Sequence, residues 1–185
     1  AIGAAAASSL AGCAPAGGDS SSNDLVKLTV GCDAFPPFVR FDENGDPSGI
    51  DVDILRAALG RMGYEPVFEF IPWEDKDALL ESGEVDLVGS CFSMTGREEL
   101  YQWAGPYMRS RQVACVVPES AIQTLADLED KIVAVQSTTK PEEIILKGLN
   151  PAVPKPRKLY CFEDRDLLYP ALSKGYVDAV CAHET

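Results

Sequence analysis

Two short segments of the sequence combine hydroxyl side chains with groups that can bind an anion. Residues 89–97 read Gly-Ser-Cys-Phe-Ser-Met-Thr-Gly-Arg, and residues 136–139 read Gln-Ser-Thr-Thr. The guanidinium of Arg97 can bind a carboxylate through two parallel hydrogen bonds. Both segments run into predicted helix starts, where free N–H groups and the helix dipole favour negative charge. A single Ser or Thr at such a place ordinarily caps the helix, but the two segments together indicate a site for a small anion.

The residues around these segments alternate between short strands and helices, as in an α/β fold. The apolar periodicity predicts strands over 28–30, 67–71, 85–88, 132–135, 158–162 and 177–181, and helices over 52–62, 75–81, 125–129, 141–147 and 164–174. Asp51 is expected to cap the first helix, and Asn44-Gly45 predicts a hairpin turn. Pro170 is expected to kink or restart the last helix.

A repeated motif divides this pattern into two similar halves. Gly-Glu-Val-Asp-Leu-Val at 83–88 matches Gly-Tyr-Val-Asp-Ala-Val at 175–180. We interpret the halves as two α/β units joined by the extended, apolar segment 112–117. Ligands bind at the carboxyl ends of the strands in open α/β sheets, so the chemistry is expected where these ends meet. The predicted strand ends are 32–35, 89–95, 136–139 and 182–185.

Composition excludes several classes of protein. The 185 residues carry 29 acidic and 16 basic side chains, which gives a net charge of −13. Such a chain lacks the basic surface that nucleic-acid binding requires. Its 46% hydrophobic and 24% charged residues are typical of a globular protein. It contains no apolar run of about 18 residues, which a membrane-spanning helix would need.

The first residues indicate export and a membrane anchor. Residues 1–24 begin with an alanine-rich stretch and end in a Gly/Ser-rich tether. Between them, Leu-Ala-Gly-Cys at 10–13 resembles the bacterial lipobox, which implies lipid modification of Cys13. We therefore interpret residues 1–24 as a signal-peptide remnant, a lipidation site and a flexible tether. The expected location is extracytoplasmic, with a lipid anchor in the bacterial cell membrane.

No metal site or cofactor is expected. The five cysteines after the tether form no CxxC pair, and buried free thiols are favoured over disulfides. Asp42, Asn44 and Asp46 have the spacing of a calcium loop, but the sixth position is Pro47, where such a loop needs glycine. A hairpin tip is the better interpretation of this segment.

Several motifs together resemble bacterial extracellular solute-binding protein family 3, the amino-acid receptors of ABC importers. The motifs occur in family order from about Leu25 to Thr185. They are Val-Gly-Cys-Asp at 30–33, Phe-Pro-Pro-Phe at 35–38, Gly-Ile-Asp-Val-Asp-Ile at 49–54, Gly-Glu-Val-Asp at 83–86, Ser-Met-Thr-Gly-Arg at 93–97, Gly-Pro-Tyr at 105–107, Leu-Ala-Asp-Leu at 125–128 and Gly-Tyr-Val-Asp-Ala at 175–179.

The resemblance implies a periplasmic-binding-protein type II fold, in which two α/β lobes close on a small ligand. Residues 25–112 are expected to form lobe 1, 113–117 a hinge strand and 118–185 lobe 2. Family chains finally return to lobe 1, so lobe 2 is expected to be truncated here.

The resemblance also implies roles for residues of the first lobe. Phe35 matches the aromatic side chain that packs on the ligand. Ser90, Cys91 and Ser93 match the segment that receives the ammonium group or side chain of the ligand. Arg97 matches the arginine that binds the ligand carboxylate, although the family usually has one more residue between the threonine and this arginine.

In the second lobe, Thr138 and Thr139 match further carboxylate contacts, with Ser137 adjacent. Trp73 follows another strand and is interpreted either as a cleft wall or as a residue that packs the lobe. His183 occupies the position where amino-acid binders carry an acid that pairs with the ligand ammonium. A neutral imidazole cannot supply that charge, so Glu184 or Asp33 could substitute, or the ligand could be an unusual amino acid or another carboxylate.

These features predict a monomeric, non-enzymatic protein that captures an amino acid or similar carboxylate and presents it to an ABC permease. Two alternatives remain at this point. The chain could be the ligand-sensing ectodomain of a signalling receptor. It could also be a cyclohexadienyl-dehydratase-like enzyme on the same fold, with His183 and Glu184 transferring protons.

Overall fold

Short strands and helices alternate along residues 25–184, which are the residues that the computed structural model describes. The predictions for residues 1–24, including lipidation of Cys13, lie outside the described residues. The strands are β1 (Val26–Cys32), β2 (Arg40–Phe41), β3 (Pro47–Ser48), β4 (Tyr64–Phe70), β5 (Leu87–Val88), β6 (Gln112–Cys115), β7 (Ile132–Gln136), β8 (Lys158–Phe162) and β9 (Ala179–His183). The helices are α1 (Ile50–Arg61), α2 (Lys76–Ser82), α3 (Lys140–Lys147) and α4 (Leu168–Ser173), with 3₁₀ turns at Trp73–Asp75, Leu125–Leu128 and Arg165–Leu167.

Two separate sheets form the centres of two lobes. The first has the order β4–β1–β5, with all strands parallel. The second has the order β6–β9–β7–β8, in which β6 runs antiparallel to β9 and the other pairs are parallel. Each sheet has its own buried apolar cluster: Val30, Val39, Val52 and Leu59 pack in the first lobe, and Ala134, Leu168, Leu172 and Val180 in the second.

The repeated motif has the same structural role in both lobes. Asp86 accepts a hydrogen bond through Oδ2 from the backbone N–H of Thr29 at 2.7 Å. Asp178 accepts the equivalent bond from Ile132, also at 2.7 Å. Each aspartate thus fastens the strand of its motif to a parallel neighbour, β5 to β1 in the first lobe and β9 to β7 in the second, so the repeat has the same structural role in both.

The cap of α1 differs from the prediction. Gly49, and not Asp51, is the N-cap residue, with a φ of 128°. A Cβ atom at Gly49 would lie 2.3 Å from the carbonyl oxygen of Phe38, so only glycine fits there. Asp51 lies in the first turn, where its side chain is 1% exposed. Its carboxylate accepts a hydrogen bond from another lobe-1 segment instead of capping the helix.

Two other predicted helices are shorter than expected. Residues 125–128 form a 3₁₀ turn, with Thr124 and Asp127 as a capping box. The predicted helix 164–174 divides into a 3₁₀ turn and α4, which starts at Leu168. Pro170 therefore lies in the first turn of α4, where its missing N–H leaves no intrahelical bond unmade. The sequence predicted a kink or restart at Pro170, and the helix restarts two residues earlier, at Leu168.

The segment predicted as the hinge contributes a strand to the second sheet. β6 pairs along its whole length with β9, and Gln112 lies opposite His183. The lobe boundaries at 112 and 117 stay predictions. No helix within residues 25–184 is long and apolar enough to cross a bilayer.

The five cysteines of the described chain are free thiols. Cys32 is buried and three others are partly buried, but Cys161 is exposed on β8. The expectation of buried thiols is therefore wrong for Cys161, because its side chain faces outward from an edge strand.

Candidate functional site

A cavity of about 40 Å³, partly open to solvent, lies where the carboxyl ends of strands from both sheets meet. This volume is below the range of about 300–1,000 Å³ that is typical of small-molecule sites, so an amino-acid-sized ligand requires the lobes to move apart. Its lining consists of Asp33, Phe35, Trp73, Ser90, Cys91, Phe92, Ser93, Arg97, Gln136, Thr139, Lys140, Arg165 and His183. Of the residues predicted from the sequence, only Ser137 and Thr138 are outside this lining.

Arg97 is buried at the junction of the two lobes, with 9% of its surface exposed. Its Nε lies 3.3 Å from Oε2 of Glu143 on α3. The Nζ of Lys140 lies 3.0 Å from the same carboxylate oxygen. Arg97 also donates a hydrogen bond through Nη2 to the carbonyl oxygen of Thr138, at 3.4 Å. The arginine of the first lobe is therefore held by an acid and a backbone group of the second lobe.

Aromatic rings surround this guanidinium. The ring of Phe92 lies 5.2 Å from Cζ of Arg97 and contacts the rings of Trp73 and Trp103, with centroids 5.2 Å away in each case. The indole Nε1 of Trp103 donates a hydrogen bond to the backbone oxygen of Arg97 at 3.1 Å. Lys76 is 2% exposed, and burial lowers the pKa of its ammonium group. The aromatic cluster fixes Arg97 and separates this end of the cavity from water.

Two residues at the cleft have a backbone conformation that normally favours glycine. Ser90, after β5, has a φ of 138°, and Thr138, after β7, has a φ of 56°. Residues in such conformations cost free energy and persist where the surrounding contacts require them. In the first lobe, one such contact is the hydrogen bond from the N–H of Cys91 to Oδ2 of Asp51, at 3.0 Å. Buried Asp51 thus positions the strand end that carries Ser90 and Cys91.

The Cys91 side chain contributes a neutral thiol to the cavity. Burial, followed by the nearby charge of Asp51, raises its pKa to about 12. It is therefore protonated at neutral pH and is suited to weak hydrogen bonding rather than to nucleophilic chemistry.

The residues that precede α3 are already bonded within the protein. The N–H of Thr138 donates to Oε2 of Glu142 at 2.6 Å. The Thr138 hydroxyl lies 3.2 Å from Nζ of Lys76 in the first lobe. The N–H of Ser137 donates to the carbonyl oxygen of Phe162 at 2.8 Å. In this structure Thr138 is thus a contact between the lobes, and Ser137 belongs to the second sheet, whereas Thr139 lines the cavity.

A second group of side chains lies at the end of β1. Gln136 donates a hydrogen bond through Nε2 to Oδ2 of Asp33, at 2.5 Å, and so joins the two lobes. Burial raises the pKa of Asp33, while Gln136 and then Arg165 act in the opposite direction. The Cζ of Arg165 lies 3.3 Å from the ring centroid of Phe35. The ring of Phe35 was predicted to pack on a ligand, but in the structure the guanidinium of Arg165 lies against it.

His183 ends β9 and faces the same group. Its ring centroid lies 6.0 Å from that of Phe35, and its Nδ1 lies 3.2 Å from the Ser110 hydroxyl. Burial, followed by the positive charge of Arg165, lowers the pKa of His183, so the imidazole is neutral at pH 7. The neighbouring Glu184 pairs with Nε of Arg111, at 2.5 Å. His183 and Glu184 thus have different partners and do not form a shared proton-transfer pair.

Sequence reasoning missed four lining residues: Phe92, Gln136, Lys140 and Arg165. Phe92 and Gln136 lay inside the predicted strand ends but carried no charge or hydroxyl group. Lys140 and Arg165 are the first residues of helical turns. Lys140 fell between the predicted strand end 136–139 and the predicted helix 141–147, and Arg165 was counted as an ordinary residue of the predicted helix 164–174. A usable signal existed, since each follows shortly after the carboxyl end of a second-lobe strand. Among residues 25–184, no cluster of potential metal ligands occurs.

A family model described as bacterial extracellular solute-binding proteins, family 3, matches residues 28–160. The chain belongs to this family. The solute-binding relatives include the glutamate-binding protein GluB of Corynebacterium efficiens, which is 29% identical over 147 residues, covering 75% of this chain and 49% of GluB. The L-cystine-binding protein TcyA of Bacillus subtilis is 30% identical over 146 residues, covering 70% of this chain and 54% of TcyA.

Solved structures of solute-binding proteins establish the fold. Tv2483 bound to L-arginine superimposes with a TM-score of 0.77 at 30% identity, covering 85% of this chain and 65% of Tv2483. The predicted α/β fold of the periplasmic-binding-protein type II class is confirmed. This chain spans about half the length of the curated relatives described above.

Proposed function

We propose that this protein is an extracytoplasmic solute-binding protein that captures an amino acid or a similar small carboxylate between its lobes. The observation that carries the proposal is the inter-lobe cavity lined by the buried Arg97. A guanidinium binds a carboxylate bidentately, and its place at the lobe junction couples binding to closure. The proposed action is capture, with no bond made or broken.

Arg97 would meet the ligand carboxylate in competition with Glu143. Since Lys140 contacts the same Glu143 oxygen, displacement of that side chain leaves two cations facing the ligand. The ligand carboxylate then takes the place of Glu143 beside these two desolvated cations, so neither buried charge is left unpaired. The ligand thus replaces an internal ion pair at the junction.

The other lining residues would surround the rest of the ligand. Trp73 supplies an apolar wall. Phe35 acts indirectly, because its ring holds the guanidinium of Arg165. Ser90, Cys91 and Ser93 offer hydroxyl, thiol and main-chain groups for the ammonium group or side chain. Thr139, Ser137 and Thr138 are proposed to stabilise the second-lobe side of the closed cleft.

Delivery completes the proposed function. Ligand binding shifts the lobes towards the closed form, with movement through residues 112–117, and the closed form is recognised by an ABC permease. Lipidation of Cys13 would keep the monomeric protein at the cell membrane, with residues 14–24 as the tether.

A thermal-shift screen over amino acids and small carboxylates tests this function. We expect at least one ligand to raise the melting temperature of the purified protein. Arg97→Ala should abolish that shift, because the loss of a bidentate contact lowers affinity by about a hundredfold. The matched control is Arg61→Ala, since Arg61 is an exposed residue of the same lobe. An equal shift in both variants would remove Arg97 from the binding site.

A further inference from the structure

Arg165 is a cavity residue whose charge is not met by an ion pair. It starts the 3₁₀ turn that follows β8 and lines the cavity between the lobes. None of the ion pairs formed by residues 25–184 includes Arg165. Arg97 and Lys140, the other permanent cations of the lining, both contact Glu143. Arg165 is thus the lining cation without a carboxylate in contact.

The surroundings of Arg165 hold its side chain in place. Tyr169 and Asp33 partly stabilise its charge, but no carboxylate of residues 25–184 is in contact with it. Its guanidinium lies against the ring of Phe35, with Cζ 3.3 Å from the ring centroid. Arg165 is partly buried, and this burial lowers the pKa of its guanidinium because the charge has lost part of its hydration. Asp33 is the nearby acid, and its Oδ2 is already engaged by Gln136. A partly desolvated guanidinium in this position favours an anion supplied from outside the protein.

The cations of the cavity belong to two clusters. The Arg97 cluster contains Trp73, Phe92, Arg97 and Lys140. The Arg165 cluster contains Asp33, Phe35, Arg165 and His183. Within residues 25–184, no hydrogen bond or ion pair joins a member of one cluster to a member of the other. Arg97 and Arg165 line the same cavity, so a ligand bound there can contact one guanidinium from each cluster.

The charge of the lining contrasts with that of the chain. Three permanent cations and one carboxylate line the cavity, whereas the chain as a whole carries −13. His183 adds no charge, since burial lowers its pKa. An internal excess of positive charge in an acidic protein concentrates and selects anions. The side chains of the cavity thus favour a ligand with more than one negative group.

We propose that Arg165 binds a second carboxylate of the ligand and so makes this site selective for dicarboxylates, such as acidic amino acids. This inference rests on the proposed function, in which Arg97 binds the first carboxylate. A neutral isostere such as glutamine leaves Arg165 without an ion partner. A basic ligand such as arginine brings a third guanidinium into a cavity that already contains two.

Isothermal titration calorimetry with L-glutamate, glutarate, L-glutamine and L-arginine tests the proposal on the purified protein. We expect glutamate or glutarate to bind at least about tenfold more tightly than glutamine, as expected for one charge-assisted bidentate contact. Comparison of glutamate with glutarate shows whether the ligand also needs an ammonium group. Arginine is expected to bind most weakly.

Substitution of Arg165 separates its role from that of Arg97. Arg165→Gln should reduce the ratio of glutamate affinity to glutamine affinity by about tenfold. Arg165→Lys keeps the charge without the planar fork, and an intermediate preference is expected. Arg157→Gln, at an exposed arginine of the same lobe, is the matched control and should behave as wild type. Melting curves verify that each variant is folded. If Arg165→Gln is unfolded, the affinities of Arg165→Lys decide the test.

The possible results of these experiments distinguish the inference about Arg165 from the proposed solute-binding function. Binding of an amino acid that requires Arg97, with equal affinity for glutamate and glutamine, overturns the inference alone. A preference for dicarboxylates that survives both Arg165 substitutions also overturns it. Failure of the wild-type protein to bind any amino acid or carboxylate overturns the proposed function and the inference together.

Discussion

Arg97 and Arg165 illustrate how one side-chain type acquires two roles from its neighbours. Glu143 and the Thr138 carbonyl hold Arg97, so a ligand must compete for it. Arg165 rests on Phe35 and has no carboxylate in contact among residues 25–184. At the scale of single residues, partner groups decide which guanidinium lacks a carboxylate in contact and which one holds the lobes together.

His183 is expected to titrate below the usual histidine range. The pKa of its imidazole is lowered from 6.5 by burial and by Arg165. The unfolded chain then binds more protons than the folded one, so the free energy of unfolding falls as pH decreases below about 6.5 and is fully retained above it. Because the chain has one histidine, NMR can follow this ring without ambiguity.

The His183 experiment has a matched comparison. His183→Gln should make the pH dependence of stability shallower below about pH 6.5, because glutamine does not titrate. Chemical denaturation at several pH values measures that slope. A titration midpoint at or above 6.5 in the folded protein would contradict the environment described for this ring.

At the scale of elements, the two lobes use the same fastening between strands. Asp86 bonds the N–H of Thr29, and Asp178 bonds that of Ile132, in each case at 2.7 Å. Each motif begins with a glycine of positive φ just after a helix. Gly83 follows α2, and Gly175 follows the end of α4. The glycine turns the chain, and the aspartate then sets the register of the incoming strand.

Asp86→Ala and Asp178→Ala should each lower the free energy of unfolding by about 1 kcal/mol, since each removes one charge-assisted but exposed hydrogen bond. The two effects should add within about 0.5 kcal/mol, because they act in different sheets. Urea denaturation measures both. Glu84→Ala is the control, because it removes an exposed acid next to Asp86 that accepts none of these bonds. Equal losses in Glu84→Ala and Asp86→Ala would refute the fastening role.

Most strands and helices could be predicted from periodicity, because their apolar faces are determined locally. The cap of α1 could not, since the need for Gly49 arises from a close approach of the Phe38 carbonyl. The strand ends also predicted most of the cavity. Arg165 escaped prediction because its importance depends on Phe35, which the fold brings from the other lobe.

At the scale of the whole molecule, contacts of the protein itself hold the lobes together. Asp33 bonds Gln136, Lys76 bonds Thr138, and Arg97 contacts Glu143, and each pair spans the two lobes. These contacts hold the two lobes close together, in an arrangement near the closed state. Ligand binding then needs a smaller shift in population than it would from a fully open state.

Gln136→Ala should open the ligand-free protein, because it removes the shortest hydrogen bond between the lobes. Small-angle X-ray scattering should show a larger radius of gyration without ligand, and the dissociation constant should rise by about three- to tenfold. Gln123→Ala is the control, since the Gln123 amide bonds Ser120 within the second lobe. The same radius of gyration in both variants would argue against a latch at Gln136.

The aromatic cluster around Arg97 has one more consequence. The chain has two tryptophans, and both Trp73 and Trp103 belong to this cluster. Their indoles therefore sample the cleft instead of averaging over distant parts of the molecule. Excitation in the near ultraviolet reads the state of the binding site directly, so the protein carries its own optical reporter and needs no attached dye.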